Sequence, residues 1–160
     1  MNGLARKTDR RVTWLCIAAS LLGGTSLAAQ APSVVPSSGY DVVGKDIAAL
    51  MAAQAEGRVS ASQLVDAYLA RIRRLDGGAP GLHSVLALNP EARREAMVLD
   101  RERAAGHLRG PLHGIPLLVK DNIETADPLP TTAGSLALAA NLTHRDSPSI
   151  ARLRAAGAII

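Results

Sequence analysis

The chain contains no phenylalanine, one tryptophan and two tyrosines, so aromatic side chains make up 2% of its 160 residues. Proteins that hold single-stranded nucleic acid stack bases on aromatic rings, and Tyr40 and Tyr68 alone are poor material for that. Cysteine is equally scarce. The single thiol, Cys16, lies in an apolar run near the N-terminus, so the rest of the chain forms no disulfide, offers no thiolate zinc site and has no cysteine nucleophile. The four histidines, His83, His107, His113 and His144, lack the His-x-x-x-His or carboxylate spacing that would put two ligands on one helix face, so no metal site is expected. They read as loop or surface histidines.

Positive charge is in excess overall, at net +4, which in an ordinary domain would direct attention to nucleic acid or anionic membranes. Its distribution removes that implication. Arg6, Lys7, Arg10 and Arg11 stand against the single acid Asp9 in the first eleven residues, and an apolar run over residues 14–22 follows. Ser26-Leu27-Ala28 and Ala29-Gln30-Ala31 then fit the small-x-small pattern of a signal-peptidase site, so residues 1–31 read as a secretion signal, cleaved after Ala28 or Ala31. Residues 12–29 approach the ~20 residues of a membrane span, but Gly23, Gly24, Thr25 and Ser26 favour the cleaved signal over an anchor. Arg10-Arg11 carries only a weak twin-arginine pattern, because Thr13 stands where an apolar residue is wanted. With the signal gone, the remainder is near +1, no nucleic-acid partner is expected and no stable membrane span remains. The expected location is the periplasm or the medium.

The other residues have the 48% hydrophobic and 20% charged balance of a globular chain, with room for one modest domain. Residues 32–40 are rich in Pro, Ser and Gly and read as a flexible lead; the folded part spans residues 41–160. Ile47, Leu50, Met51 and Ala55 recur at helical spacing, ending at Gly57. Ser60 and Gln63 form a capping-box pattern ahead of Leu64, Val65, Tyr68, Leu69, Ile72 and Leu75, one face of a second helix closed by Gly77-Gly78. Residues 82–88 read as a strand. Asn89 as N-cap with Pro90 at the first helical position opens a third helix running to about Ala105. Its Arg93, Arg94, Glu95, Asp100, Arg101, Glu102 and Arg103 read as a solvated mixed-sign face. Residues 115–119 form a compact apolar strand pattern with Pro116 at its start. Residues 135–140 suggest a short helix, Ser147-Pro148 opens a fourth that ends at Gly157, and residues 158–160 begin another apolar strand. A buried strand needs neighbours on both sides, so the chain reads as cut short.

Gly110-Pro111-Leu112-His113-Gly114-Ile115-Pro116-Leu117-Leu118-Val119-Lys120-Asp121-Asn122-Ile123 strongly resembles the lysine motif of the amidase signature family. Pro130-Thr131-Thr132-Ala133-Gly134-Ser135 and residues 146–160 resemble the same family in the same order. The likeness covers residues 41–160 and is most specific from residue 110 onward. It implies an α/β fold with a mixed central sheet flanked by helices, here its N-terminal part only, and no metal or organic cofactor. It also implies a catalytic group of a serine nucleophile, a second serine bridging in a cis peptide, and a lysine base. Lys120 takes the lysine's place. No Gly-Gly-Ser-Ser string is present for the serines.

A lysine that accepts a proton has to be neutral, whereas a free lysine is charged at neutral pH, and a dry apolar pocket is the means of favouring the neutral amine. Without later strands and a serine loop, Lys120 is expected to be partly solvated. Outside its motif, a strand-end lysine would read as an exposed or ion-paired surface group. Asp121 and Asn122 read as turn formers. Ser135 lies outside a Gly-x-Ser-x-Gly elbow and reads as a helix N-cap rather than a nucleophile. Asn141-Leu142-Thr143 is a glycosylation sequon, relevant only in a host that glycosylates exported proteins. The expected function is the lysine-bearing N-terminal part of an amide hydrolase acting on a small-molecule or peptide amide. The alternative is an inactive truncated remnant acting at most as an interaction or structural fragment. The glutaminyl-tRNA amidotransferase subunit shares these motifs but works in the cytosol, where an export signal has no place.

Overall fold

The computed structural model describes residues 39–160; the expected signal and most of the expected lead lie outside the described residues. Among the described residues there are four α-helices: α1 (Ile47–Ala55), α2 (Ala61–Leu75), α3 (Ala92–Ala104) and α4 (Pro148–Ala155). Their boundaries have local causes. Asp46 caps α1 by accepting the Ala49 N–H at 2.7 Å, and Gly57, at φ +69°, turns the chain out of it as the Arg58 N–H closes on Ala53 O. Ser60 and Gln63 form a reciprocal capping box on α2. Ser147 caps α4, with Pro148 at its first position.

Helix α2 organises the core because it is buried on two sides. Leu64 packs with Val42, Leu50, Ala53, Val59 and Ile115 in one cluster, which joins α1 to the 110–117 segment. Ala61 and Val65 pack with Ala92, Ala96, Leu99 and Ile159 in the other. The alanines of that second cluster let α2 and α3 approach closely. Burial then fades along α2: Tyr68, Leu69 and Ile72 are half-buried and Leu75 is exposed.

The expected strands are mostly not strands. Residues 82–88 form no ladder: Leu82 and His83 N–H return to Leu75 O and Asp76 O, while the Asp76 carboxylate takes the N–H of Ser84 and Val85 at 2.7 and 3.0 Å. The amides of residues 82–85 are thus occupied by the end of α2, and Leu82 and Leu86 remain 72% and 67% exposed. Residues 115–119 and 158–160 meet in one parallel bridge, Pro116 with Ile159, closed by Ile159 N–H to Ile115 O at 3.0 Å and Leu117 N–H to Ile159 O at 2.8 Å. Ala158, Ile159 and Ile160 are buried, as an apolar strand start requires.

Helix α3 opens later than its sequence suggests. Asn89 does not cap it; its Oδ1 accepts the Glu91 N–H and its Nδ2 donates to Ile160 O, each at 2.9 Å. Pro90 and Glu91 form the intervening turn. Nor is the charged face of α3 simply solvated. Asp100 binds the start of α2, Arg103 donates to the His113 carbonyl at 3.1 Å, and Glu95 joins Arg154. The region expected to form a helix over residues 135–140 is one 3-10 turn, Leu136–Leu138, whose N-cap position is occupied by Ser135 without a side-chain cap bond.

Candidate active site

A cavity of about 960 Å³ opens beside the exposed half of α2. Val65, Tyr68, Leu69 and Ile72 of α2 line it together with Pro116, Leu117 and Ile159, and Leu82, Leu86 and Leu118 contribute to its lining. Lys120, Asp121 and Thr131 add polar groups. Lys120 follows the Pro116–Ile159 bridge by four residues and is exposed, matching its expected solvation. Leu118, two residues before it, is 70% exposed. The Lys120 amine has no hydrogen-bond or ion-pair partner among the described residues.

The close approach that carries Lys120 to this place is set by glycine. Gly157 has φ +94°, and a Cβ there would stand 2.6 Å from His113 Cα, so the chain after α4 lies directly against the 110–117 segment. Leu112 N–H binds Ala156 O and Gly114 N–H binds Gly157 O, at 2.9 and 2.8 Å. Gly114, at φ +79°, leaves no room for a side chain beside Gln54 and Ala61.

His113 lies in a turn, as a loop histidine would, but it is not at the surface: it is 1% exposed. Its Nε2 lies 2.9 Å from Leu99 O and its Nδ1 accepts the Arg109 N–H at 3.1 Å. A carbonyl only accepts, so these partners match the tautomer protonated on Nε2. The ring is a structural tie between α3 and the lysine segment. His83, His107 and His144 are exposed as expected. No group of three potential metal ligands occurs among the described residues.

Asp121 and Asn122 occupy the expected turn, closed by Ile123 N–H to Lys120 O at 3.0 Å. Sequence reasoning missed what Asp121 gathers there. Its carboxylate accepts the N–H of Thr132 at 3.3 Å, the N–H of Gly134 at 3.1 Å and the Thr132 hydroxyl. The Thr132 hydroxyl, with the backbone amides, holds this carboxyl below the ordinary carboxylate range. It also missed Ser84, which lines the cavity but commits its hydroxyl to Asp76 Oδ1 at 2.5 Å. That hydroxyl and the Ser84 and Val85 amides lower the Asp76 carboxyl in turn. Ser135 is exposed. Among the described residues no serine hydroxyl hydrogen-bonds the Lys120 amine.

A second polar cluster links α3 and α4 to the loops before α4. Arg154 on α4 binds Asp127 at 2.7 Å, Asp146 at 3.0 Å and Glu95 of α3 at 3.5 Å. Burial opposes its charge, but hydrogen bonds to Asp146 and Asp127 outweigh that and raise its proton affinity. Burial, and then the charge of Asp127, raise the Glu95 carboxyl. For Asp146, burial acts upward and is overcome by the hydrogen bond from Arg154, leaving its carboxyl lowered.

The cavity, with the unpartnered Lys120 amine in its lining, includes residues of the 110–123 motif. The Amidase family model matches residues 63–160, more than half of the chain, and the chain belongs to the amidase family. Its fold is the N-terminal part of the amidase signature fold. The crystal structure of a peptide amidase from Stenotrophomonas maltophilia is 50% identical and superposes with a TM-score of 0.70, covering 73% of this chain and 24% of that one. An amidase family protein from Bacillus anthracis is 35% identical with a TM-score of 0.68, over 74% of this chain and 23% of its own. A subunit of the glutamyl-tRNA(Gln) amidotransferase from Chloroflexus aurantiacus is 41% identical over 115 residues, 71% of this chain and 23% of that protein. The chain thus spans about a quarter of the length of these relatives.

Proposed function

We propose that this chain is the lysine-bearing N-terminal portion of an exported amide hydrolase, with Lys120 as the proton acceptor. The observation that carries the reading is the unpartnered Lys120 amine in the lining of an otherwise largely apolar cavity. In such a hydrolase a serine hydroxyl attacks the amide carbonyl, giving its proton to the lysine amine; that proton passes to the departing amine, and water then releases the acyl group. The serines belong to a later segment of the family's chains, so Lys120 works only once that segment completes the pocket and dries it. A peptide or small-molecule amide is the substrate class. A peptide amidase structure of the same similarity to this chain, 50% identical, holds the competitive inhibitor chymostatin. Export rests on residues 1–31 alone.

The remnant reading draws support from the exposed Lys120 and from Leu82, Leu86 and Leu118 standing uncovered around the cavity. One experiment separates the two. The gene is read past the codon for Ile160, and the product is assayed on peptide amides with Lys120 intact and as Lys120→Ala. A continuing frame with a glycine- and serine-rich segment, amide hydrolysis, and a loss of roughly a thousandfold or more in kcat on substitution support the hydrolase. A stop codon with no activity supports the remnant.

A further inference from the structure

Lys120 is held at its root from one side only. Upstream, the last backbone bond is Leu117 N–H to Ile159 O, and Leu118 after it is exposed. Downstream, Lys120 O accepts the Ile123 N–H, and the next residue, Asp121, is bound four times to one loop. Its carbonyl accepts the Ala133 N–H at 3.3 Å; its carboxylate accepts the Thr132 N–H, the Thr132 hydroxyl and the Gly134 N–H. Ala133 and Gly134 have φ of +49° and +78°, two successive left-handed residues in the loop that closes on a single aspartate. A left-handed alanine is uncommon, and here four hydrogen bonds offset its cost.

The arrangement has a second consequence. A carboxylate with free lone pairs one residue from a lysine would be an available partner for the amine. Three of the roughly four acceptor positions of the Asp121 carboxylate are taken by loop donors, and no ion pair joins it to Lys120 among the described residues. We propose that Asp121 is a positioning residue for Lys120: it clamps the turn after the lysine to the loop of residues 131–135, fixing the root of the side chain while leaving its amine unpaired. The proposal deepens the hydrolase reading and rests on it for its catalytic meaning.

The clamp is measurable without turnover. The sequence has three lysines, at positions 7, 45 and 120, so Lys120 is readily assigned in NMR spectra of the full 160-residue chain. In the wild type, the Lys120 amide order parameter is expected near the rigid value of roughly 0.85, and the Gly134 amide is expected to be protected. Asp121→Asn cannot accept at both oxygens; Gly134 exchange is expected to accelerate about tenfold and the Lys120 order parameter to fall below roughly 0.6, with Lys45 unchanged. Thr132→Val removes the hydroxyl that donates to Asp121 and also accepts the Gly134 N–H at 3.0 Å; it is expected to shift both in the same direction by less, and Thr132→Ser to restore them. It keeps the test decisive if Asp121→Asn fails to fold, as its thermal midpoint will show. Faster Gly134 exchange with Lys120 still rigid would reduce Asp121 to a loop tie and overturn the proposal, and so would no change in either. An inactive full-length product would remove the hydrolase reading and leave these results standing.

Discussion

The Asp100 carboxylate of α3 holds Ser62 of α2 by two hydrogen bonds, from its backbone N–H at 3.0 Å and its hydroxyl at 2.6 Å. It also accepts the Ala61 N–H at 2.7 Å. The first amides of a helix have no partner within it, and a negative charge there also meets the positive end of the helix dipole. Asp100→Ala is therefore expected to cost about 2 kcal/mol, read as a lower urea midpoint at unchanged slope. Arg101→Ala on the exposed side of α3 is the control, with a change within about 0.5 kcal/mol.

Replacing the buried His113 by alanine removes the partners of Leu99 O and of the Arg109 N–H and leaves a hole between α3 and the lysine segment. A loss of about 3 kcal/mol is expected. His107→Ala, at an exposed histidine, is expected to change little. Equal effects of the two substitutions by chemical denaturation would remove His113 as a tie.

The carboxylates around Arg154 carry opposite pH signatures. Asp146 is lowered below its unfolded value, so the stability it contributes is complete above about pH 3.9 and is lost as pH falls through its folded value. Glu95 is raised, so ionising it costs stability; lowering pH from neutral through its folded value, down to about 4.3, adds stability. Denaturation midpoints between pH 7 and 3 are expected to show a rise that Glu95→Gln abolishes and a later fall that Asp146→Asn reduces. Arg154→Met leaves three carboxylates without their shared cation and is expected to cost about 3 kcal/mol or more at pH 7.

Gly157→Ala places a methyl group 2.6 Å from His113 Cα on a backbone with φ +94°. Both the clash and the dihedral act against it. A thermal melt is expected to show a loss of about 3 kcal/mol, whereas Gly106→Ala, with the same sign of φ and open space around it, is expected to lose only about 1 kcal/mol.

What could be read from sequence was what is local. The Ser60–Gln63 box, the Ser147-Pro148 start and the stop at Gly57 each involve residues within one turn of each other, and each stands in the structure. Residues 82–88 looked like a strand because their composition is apolar, but the Asp76 carboxylate that captures their amides lies at the end of a helix, and no local pattern announces it. The α3 face read as solvated for a related reason: the partners of Asp100 are almost forty residues away in sequence. His113 is buried by Leu99 O across a turn of chain that periodicity does not describe. At the site, the motif of residues 110–123 pointed to Lys120, whereas the Asp121 clamp depends on Thr132 and Gly134, reached only when the loop folds back.

Under the proposed function, Lys120 needs a serine hydroxyl that none of the described residues brings to its amine. Covalent labelling with a serine-directed fluorophosphonate, read by intact mass, tests it most directly on the 160-residue chain. An unlabelled chain is expected, with Ser135 and Ser84 both unmodified. Stoichiometric labelling of either serine, lost on Lys120→Ala, would show a working nucleophile already beside the lysine and contradict it.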